Sequence, residues 1–196
     1  MIYLKLTINS LFILLIFSLF GCNKSKPCNT NKSSFNDLYI NTLTSNSNLT
    51  DWELIDTEIH AYTFSVTTPQ EICAVGYRSL QAISNQKYHI VIIDSLNNNT
   101  LLSINENFSP TTTSYIFLSN TVTLSPGILY TINRIQTNWN PYISNTIGRV
   151  LTTPNLDSLY FPFSNGTLKI HNSSFYSMGG PAYNIGIPYI DIVFKD

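Results

Sequence analysis

The feature that most constrains this chain is the length and period of its apolar runs. Beyond residue 50 they are short, and several alternate residue by residue. Ala61-Tyr62-Thr63-Phe64-Ser65-Val66 puts Tyr, Phe and Val at every second position, with small or hydroxyl residues between. A period of two fits a half-buried strand, because successive side chains point to opposite faces. Ile72-Cys73-Ala74-Val75-Gly76-Tyr77 follows a turn at Thr68-Pro69-Gln70. The β-branched run Tyr88-His89-Ile90-Val91-Ile92-Ile93-Asp94 reads as a central buried strand. A turn at Ser95–Thr100 and a return at Leu101-Leu102-Ser103-Ile104 make it one arm of the clearest hairpin.

Further strand candidates are Ser114–Leu118, Thr121–Leu124, Ile128–Ile135, Gly148–Leu151, Leu159–Phe161 and Leu168–Ile170. Tyr189-Ile190-Asp191-Ile192-Val193-Phe194 closes the chain, with Asp191 expected to point outward. No segment after the N-terminal run sustains a 3.6-residue period with caps. Thr, Ile, Tyr, Val and Phe abound where Ala, Glu and Lys are scarce. About ten strands separated by turns suit an all-β fold, a jelly-roll-like antiparallel β-sandwich.

Composition narrows the partners. Of 196 residues only 11% are charged, ten basic against eleven acidic, for a formal charge of −1. Soluble domains carry about 25% charged residues. Polarity comes instead from amides and hydroxyls, with 23 Asn in the chain. No basic excess exists to neutralise phosphates, so nucleic acid is excluded as a partner. Hydrophobic content of 43% is enough to build a core and excludes disorder over the whole chain.

The N-terminus reads as an address. Lys5 precedes an apolar run, Leu11–Phe17, continued by Leu19-Phe20, which is too short for a membrane span of about 20 residues. It ends in Leu19-Phe20-Gly21-Cys22, which resembles the lipobox of bacterial lipoproteins. The resemblance implies cleavage before Cys22 and acylation of that residue. Several acyl chains hold a protein firmly to a membrane. The residue after the Cys is Asn23 rather than the Asp that resembles an inner-membrane retention signal. The implied localisation is therefore the cell envelope, at the outer membrane, on either the periplasmic or the extracellular face. Without residues 1–21 the balance becomes nine basic against eleven acidic, or −2.

Residues 22–50 are expected to form the lipidated Cys and a polar, flexible tether spanning roughly 30 Å. Its one apolar interruption, Phe35-Asn36-Asp37-Leu38-Tyr39-Ile40, is either a short strand or a patch docking on the domain. The domain is expected over residues 51–196. Its strand order and loose patterns resemble small jelly-roll domains of unknown function in bacterial surface proteins. These are similar in outline to galactose-binding-like carbohydrate modules. The resemblance implies a fold and carries no site motif.

Sites of chemistry are sparse. His60, His89 and His171 lie far apart, without zinc-ligand spacing. There is no Gly-x-Ser-x-Gly elbow. The densest acids, Asp51-Trp52-Glu53 and Asp56-Thr57-Glu58, read as a solvated strand edge before they read as glycosidase carboxylates or a structural calcium site. The chain is thus expected to be no enzyme and to need no cofactor. An exported compartment permits a bridge between Cys28 and Cys73. The preferred expectation leaves Cys73 a small buried hydrophobe and Cys28 free in the tether. The best ligand candidate is the loop carrying Asn138, Trp139, Asn140 and Tyr142, because sugar rings stack on aromatic planes and amides bind hydroxyls. The alternative folds Trp139 inward as a plug. A second flexible, aromatic loop, Ser177-Met178-Gly179-Gly180-Pro181-Ala182-Tyr183-Asn184, could line the same end. These readings converge on a lipid-anchored, non-catalytic surface binding protein with a glycan or protein ligand, glycan leading. A structural or adhesin-like subunit is the alternative, and a hydrolase the lesser one.

Overall fold

A computed structural model describes residues 27–55, 57–79, 85–142 and 147–196. The expected signal segment and Cys22 lie outside the described residues. Among the described residues thirteen strands follow one α-helix. They are β1 (Thr50–Ile55), β2 (Ile59–Val66), β3 (Gln70–Tyr77), β4 (Tyr88–Asp94), β5 (Thr100–Glu106), β6 (Ser114–Leu124), β7 (Tyr130–Gln136), β8 (Ile147–Thr152), β9 (Phe163–Ser164), β10 (Leu168–Ser177), β11 (Gly180–Tyr183), β12 (Gly186–Pro188) and β13 (Asp191–Phe194).

All strand pairs are antiparallel. A seven-stranded sheet runs β11-β10-β2-β7-β4-β5, with β9 beside β10. Two three-stranded sheets, β13-β3-β6 and β1-β8-β12, share its core. The all-β sandwich expected from the alternation is what the chain forms. One continuous core joins Tyr62, Phe64, Ile90, Ile132 and Ile170 of the large sheet to Ile72, Val75, Leu151, Ile187 and Ile192 of the small ones. The hairpin β4–β5 and the central place of β4 match expectation. Leu159–Phe161 forms no strand, and β6 joins two expected strands across a bulge opposite Cys73.

The expected tether is different in kind. From Pro27 onward it belongs to the domain. Residues Ser34–Ser45 form helix α1, capped by Ser33, whose hydroxyl accepts the Asn36 N–H at 3.1 Å. Phe35, Leu38 and Tyr39 fall at i, i+3 and i+4 and are all buried. Phe35 stacks on Tyr62 at 5.3 Å between ring centroids, and the Tyr39 ring meets Tyr189 edge-on at 4.9 Å. The patch Phe35–Ile40 is thus a docked helix rather than a strand.

Cys28 is bonded to Cys73 with Cα atoms 5.8 Å apart, which corrects the expectation of two free thiols. The reason is that Cys28 is not in a mobile segment: it forms an antiparallel bridge with Lys195, and Asp196 N–H donates to Pro27 O at 3.1 Å.

Asp191 also reverses its expected direction, being fully buried. Its carboxylate accepts from the Ser33 hydroxyl and from Tyr115 OH, the latter at 2.8 Å. Arg149 binds Asp51 through Nε and Nη2, the latter at 2.6 Å, and lies 4.2 Å from the Tyr189 ring centroid. Tyr39 OH donates to the same Asp51 at 2.9 Å. The acids at Asp51 and Asp191 are therefore built into the packing of α1.

Candidate functional site: the outer face of the large sheet

Alternation along five neighbouring strands sends one set of side chains into the core and the other outward. The inward set includes Tyr62, Phe64, Tyr88, Ile90, Ile92, Tyr130 and Ile132, all buried. The buried Arg134 belongs to it too. Its guanidinium lies 5.3 Å and 5.4 Å from the Tyr77 and Tyr88 ring centroids and donates to Thr57 O at 3.1 Å.

Register lines up the outward set in three rows of five residues across β10, β2, β7, β4 and β5. These are Tyr176-Ile59-Ile135-His89-Asn105, Ser174-Ala61-Asn133-Val91-Ser103 and Asn172-Thr63-Thr131-Ile93-Thr100. None of these residues is an acid, a lysine or an arginine. Lys169 sits in the following row beside Ser65. On the adjoining β11, Tyr183 pairs with Ser174 and Pro181 with Tyr176, so the two tyrosines are diagonal neighbours, about 7–8 Å apart at the backbone. Tyr176 is 47% exposed and Tyr183 64%.

The polar groups of this face hold one another in place. Thr63 and Thr131 hydroxyls meet at 3.0 Å. His89 Nε2 lies 2.8 Å from Ser103 Oγ, and His171 Nε2 2.8 Å from Ser65 Oγ. Partial burial, and secondarily Lys169, lowers the His171 pKa, which favours a neutral imidazole. The result is a broad sheet of amides, hydroxyls, imidazoles and aliphatic side chains without acid, lysine or arginine, with two exposed phenol rings at one corner.

The loop singled out from sequence is arranged otherwise. Trp139 is only 5% exposed, so its plane is not offered to solvent. Burial removes a large indole surface from water, and Thr137 Oγ1 ties the loop down by donating to Lys87 O at 2.7 Å. Asn138, with φ of +56°, and Asn140 are exposed on either side of it. The side chain of Tyr142 lies outside the described residues. In the second loop Gly180–Tyr183 is a strand rather than a loose connection, and its Tyr183 lies beside Ser174. The signal missed in the sequence was the outward half of each alternating run, which in three successive rows across the five strands carries no acid, lysine or arginine.

Among the described residues no group of three His, Cys, Asp or Glu side chains could hold a metal ion. The chain matches no protein-family model and no curated protein.

Proposed function

We propose that this is a lipid-anchored, non-catalytic envelope protein that binds a neutral, hydroxyl-rich ligand, a glycan, on the outer face of its large sheet. The observation that carries this reading is the charge-free row pattern with Tyr176 and Tyr183 at its corner. Phenol rings accept the C–H faces of sugars. Asn105, Asn133 and Asn172 supply amides that both donate and accept, as hydroxyls require. An ionic ligand finds no partner there.

The anchor rests on the lipobox resemblance at Cys22, and the Cys28–Cys73 disulfide suits an oxidising, exported compartment. Because Cys28 is fixed to the domain, only residues 23–27 separate it from Cys22. A fully extended link of that length reaches about 20 Å, shorter than the tether first expected. The domain would therefore ride close to the bilayer.

The test uses protein lacking residues 1–22, since every described element lies at or beyond Cys28. On a glycan array and by calorimetry, Tyr176→Ala and Tyr183→Ala should each weaken binding about tenfold or more, at roughly 1.4 kcal/mol per tenfold. Phe117→Ala, on a different sheet, should leave it unchanged. Binding to no glycan, or binding indifferent to both tyrosines, refutes the site. In the full chain, Cys22→Ala should move the protein out of the membrane fraction, and retention there would refute the anchor.

A further inference from the structure

The β10–β11 hairpin has two sides, and the glycan reading uses only one. Tyr176 points outward, while its neighbour Phe175 points in, toward a pocket of about 380 Å³ at the open lateral end of the sandwich. Val150 of β8, Leu156 of the β8–β9 loop, Phe175, Ala182 of β11 and Ile185 make its apolar wall. Among the described residues no acid, lysine or arginine lines it. Among the described lining residues the titratable side chain is His60, set edge-on to Phe175 at 4.8 Å between ring centroids. His60 Nε2 accepts the Thr57 N–H at 3.3 Å, and an imidazole that accepts at one nitrogen is uncharged. The described wall then carries no charge.

A second feature belongs to the mouth. Leu156 has φ of +57°, a left-handed conformation that is strained for a residue with a side chain. Its turn is held by its own N–H donating to Thr153 O at 3.1 Å and by Asp157 N–H donating to Thr153 Oγ1 at 2.7 Å. The outcome is an aliphatic side chain 39% exposed on the pocket wall instead of packed in the core. Across from it the hairpin turns through Gly180, at φ of +90°, and leaves Met178 76% exposed at the tip. Local strain that places an apolar group at an opening is a mark of a binding site.

We propose that this pocket binds a small, uncharged molecule through an aliphatic chain. Its size sets the class of occupant. A cavity of 150 Å³ holds a benzene ring, so this one takes on the order of a dozen non-hydrogen atoms. That is a small molecule rather than an element of a partner protein, whose stable docking buries about 1,200 Å² or more. The neutral wall sets the charge, because an ion there would lose its hydration without a counter-charge. Polar groups of the ligand remain at the mouth, beside Ser177 and Thr57.

The test titrates protein lacking residues 1–22 with the uncharged dye N-phenyl-1-naphthylamine, followed by displacement with 1-decanol, decanoate and decyltrimethylammonium. A saturable one-to-one rise in fluorescence, displaced by decanol at a concentration at least tenfold below either charged analogue, is expected. Ala182→Phe, which fills the pocket, and Leu156→Asp, which charges its surface wall, should each weaken the dye at least tenfold. A variant is read only where its thermal unfolding remains cooperative, and the exposed Leu156 site provides for a collapse of Ala182→Phe. Tyr183→Ala, on the opposite side of the hairpin, should weaken glycan binding about tenfold or more and leave the dye unaffected, which separates failure of one site from failure of the other. No saturable rise, full affinity in a folded Leu156→Asp protein, or equal displacement by the charged analogues would overturn the proposal.

Discussion

Single residues carry the least expected physics here, and Asp191 carries most of it. It sits where α1, β13 and β6 meet, receiving hydrogen bonds from Ser33 and Tyr115. Burial pushes its pKa up from 3.8 to about 6, against the lowering effect of those two donors; Asp37 raises it further and Arg149 opposes that. The sign follows from linkage. Between about pH 4 and 6 the folded chain holds this proton more tightly than the unfolded chain does. The contribution to stability is therefore full below the unfolded pKa and is lost as pH rises through the folded one. At 1.36 kcal/mol per unit, the loss above pH 6 is about 3 kcal/mol. Asp191→Asn keeps an acceptor for Ser33 and carries no charge. Urea unfolding from pH 4 to 8 should show wild type losing stability relative to this variant as pH rises. A constant difference across that range would contradict the burial argument. In the sequence Asp191 looked outward, because strict alternation in Tyr189–Phe194 gave it the polar side. That alternation does not hold here: all four residues of β13 are buried, covered on one side by the core and on the other by the N-terminal segment.

At the scale of elements, α1 marks the boundary between what was visible and what was not. Its three core residues were noticed as a possible docking patch, and its Ser33 cap was present in the sequence. A single amphipathic helix amid Asn, Ser and Thr nevertheless lacks the local propensity to declare itself, and its stability comes from tertiary packing. Its removal is a direct test. A chain beginning at Asp51 would leave Tyr62 and Tyr189 without Phe35 and Tyr39, strip Asp191 of Ser33 and leave Cys73 unpaired. The disulfide alone, closing a separation of 45 residues, stabilises by about 4 kcal/mol in the chain-entropy model. This shortened chain should lose its cooperative thermal transition and its near-ultraviolet circular dichroism, whereas a chain beginning at Asn23 keeps both. A cooperative transition in the shorter chain would show that α1 is an accessory.

The whole molecule is a sandwich open at both sides. One opening is the pocket under β10–β11. The other lies between β5 and β6, which each pair with a single neighbour and leave a groove of about 430 Å³ lined by Leu102, Ile104, Ile116 and Leu118. Neither strand contains Lys, Arg or Pro, and Phe117 is 62% exposed. Free edges without such residues favour strand-to-strand association. This is the feature that would serve the alternative reading, a structural or adhesin-like subunit. If assembly uses these edges, sedimentation should reveal concentration-dependent oligomers that Phe117→Lys dissolves; a monomer at every concentration would exclude that reading. The sequence by itself determined the strand class and the low charge of the chain, because side-chain period and composition are local properties; the proposed anchor likewise rests on the local Cys22 segment. Only the tertiary structure decided that Cys28 pairs with Cys73, that Trp139 turns inward and Asp191 is covered, and that Tyr176 and Tyr183 share a face with Asn133. Those outcomes depend on which strands become neighbours, and pairing between residues a hundred positions apart is set by the packing of the whole core.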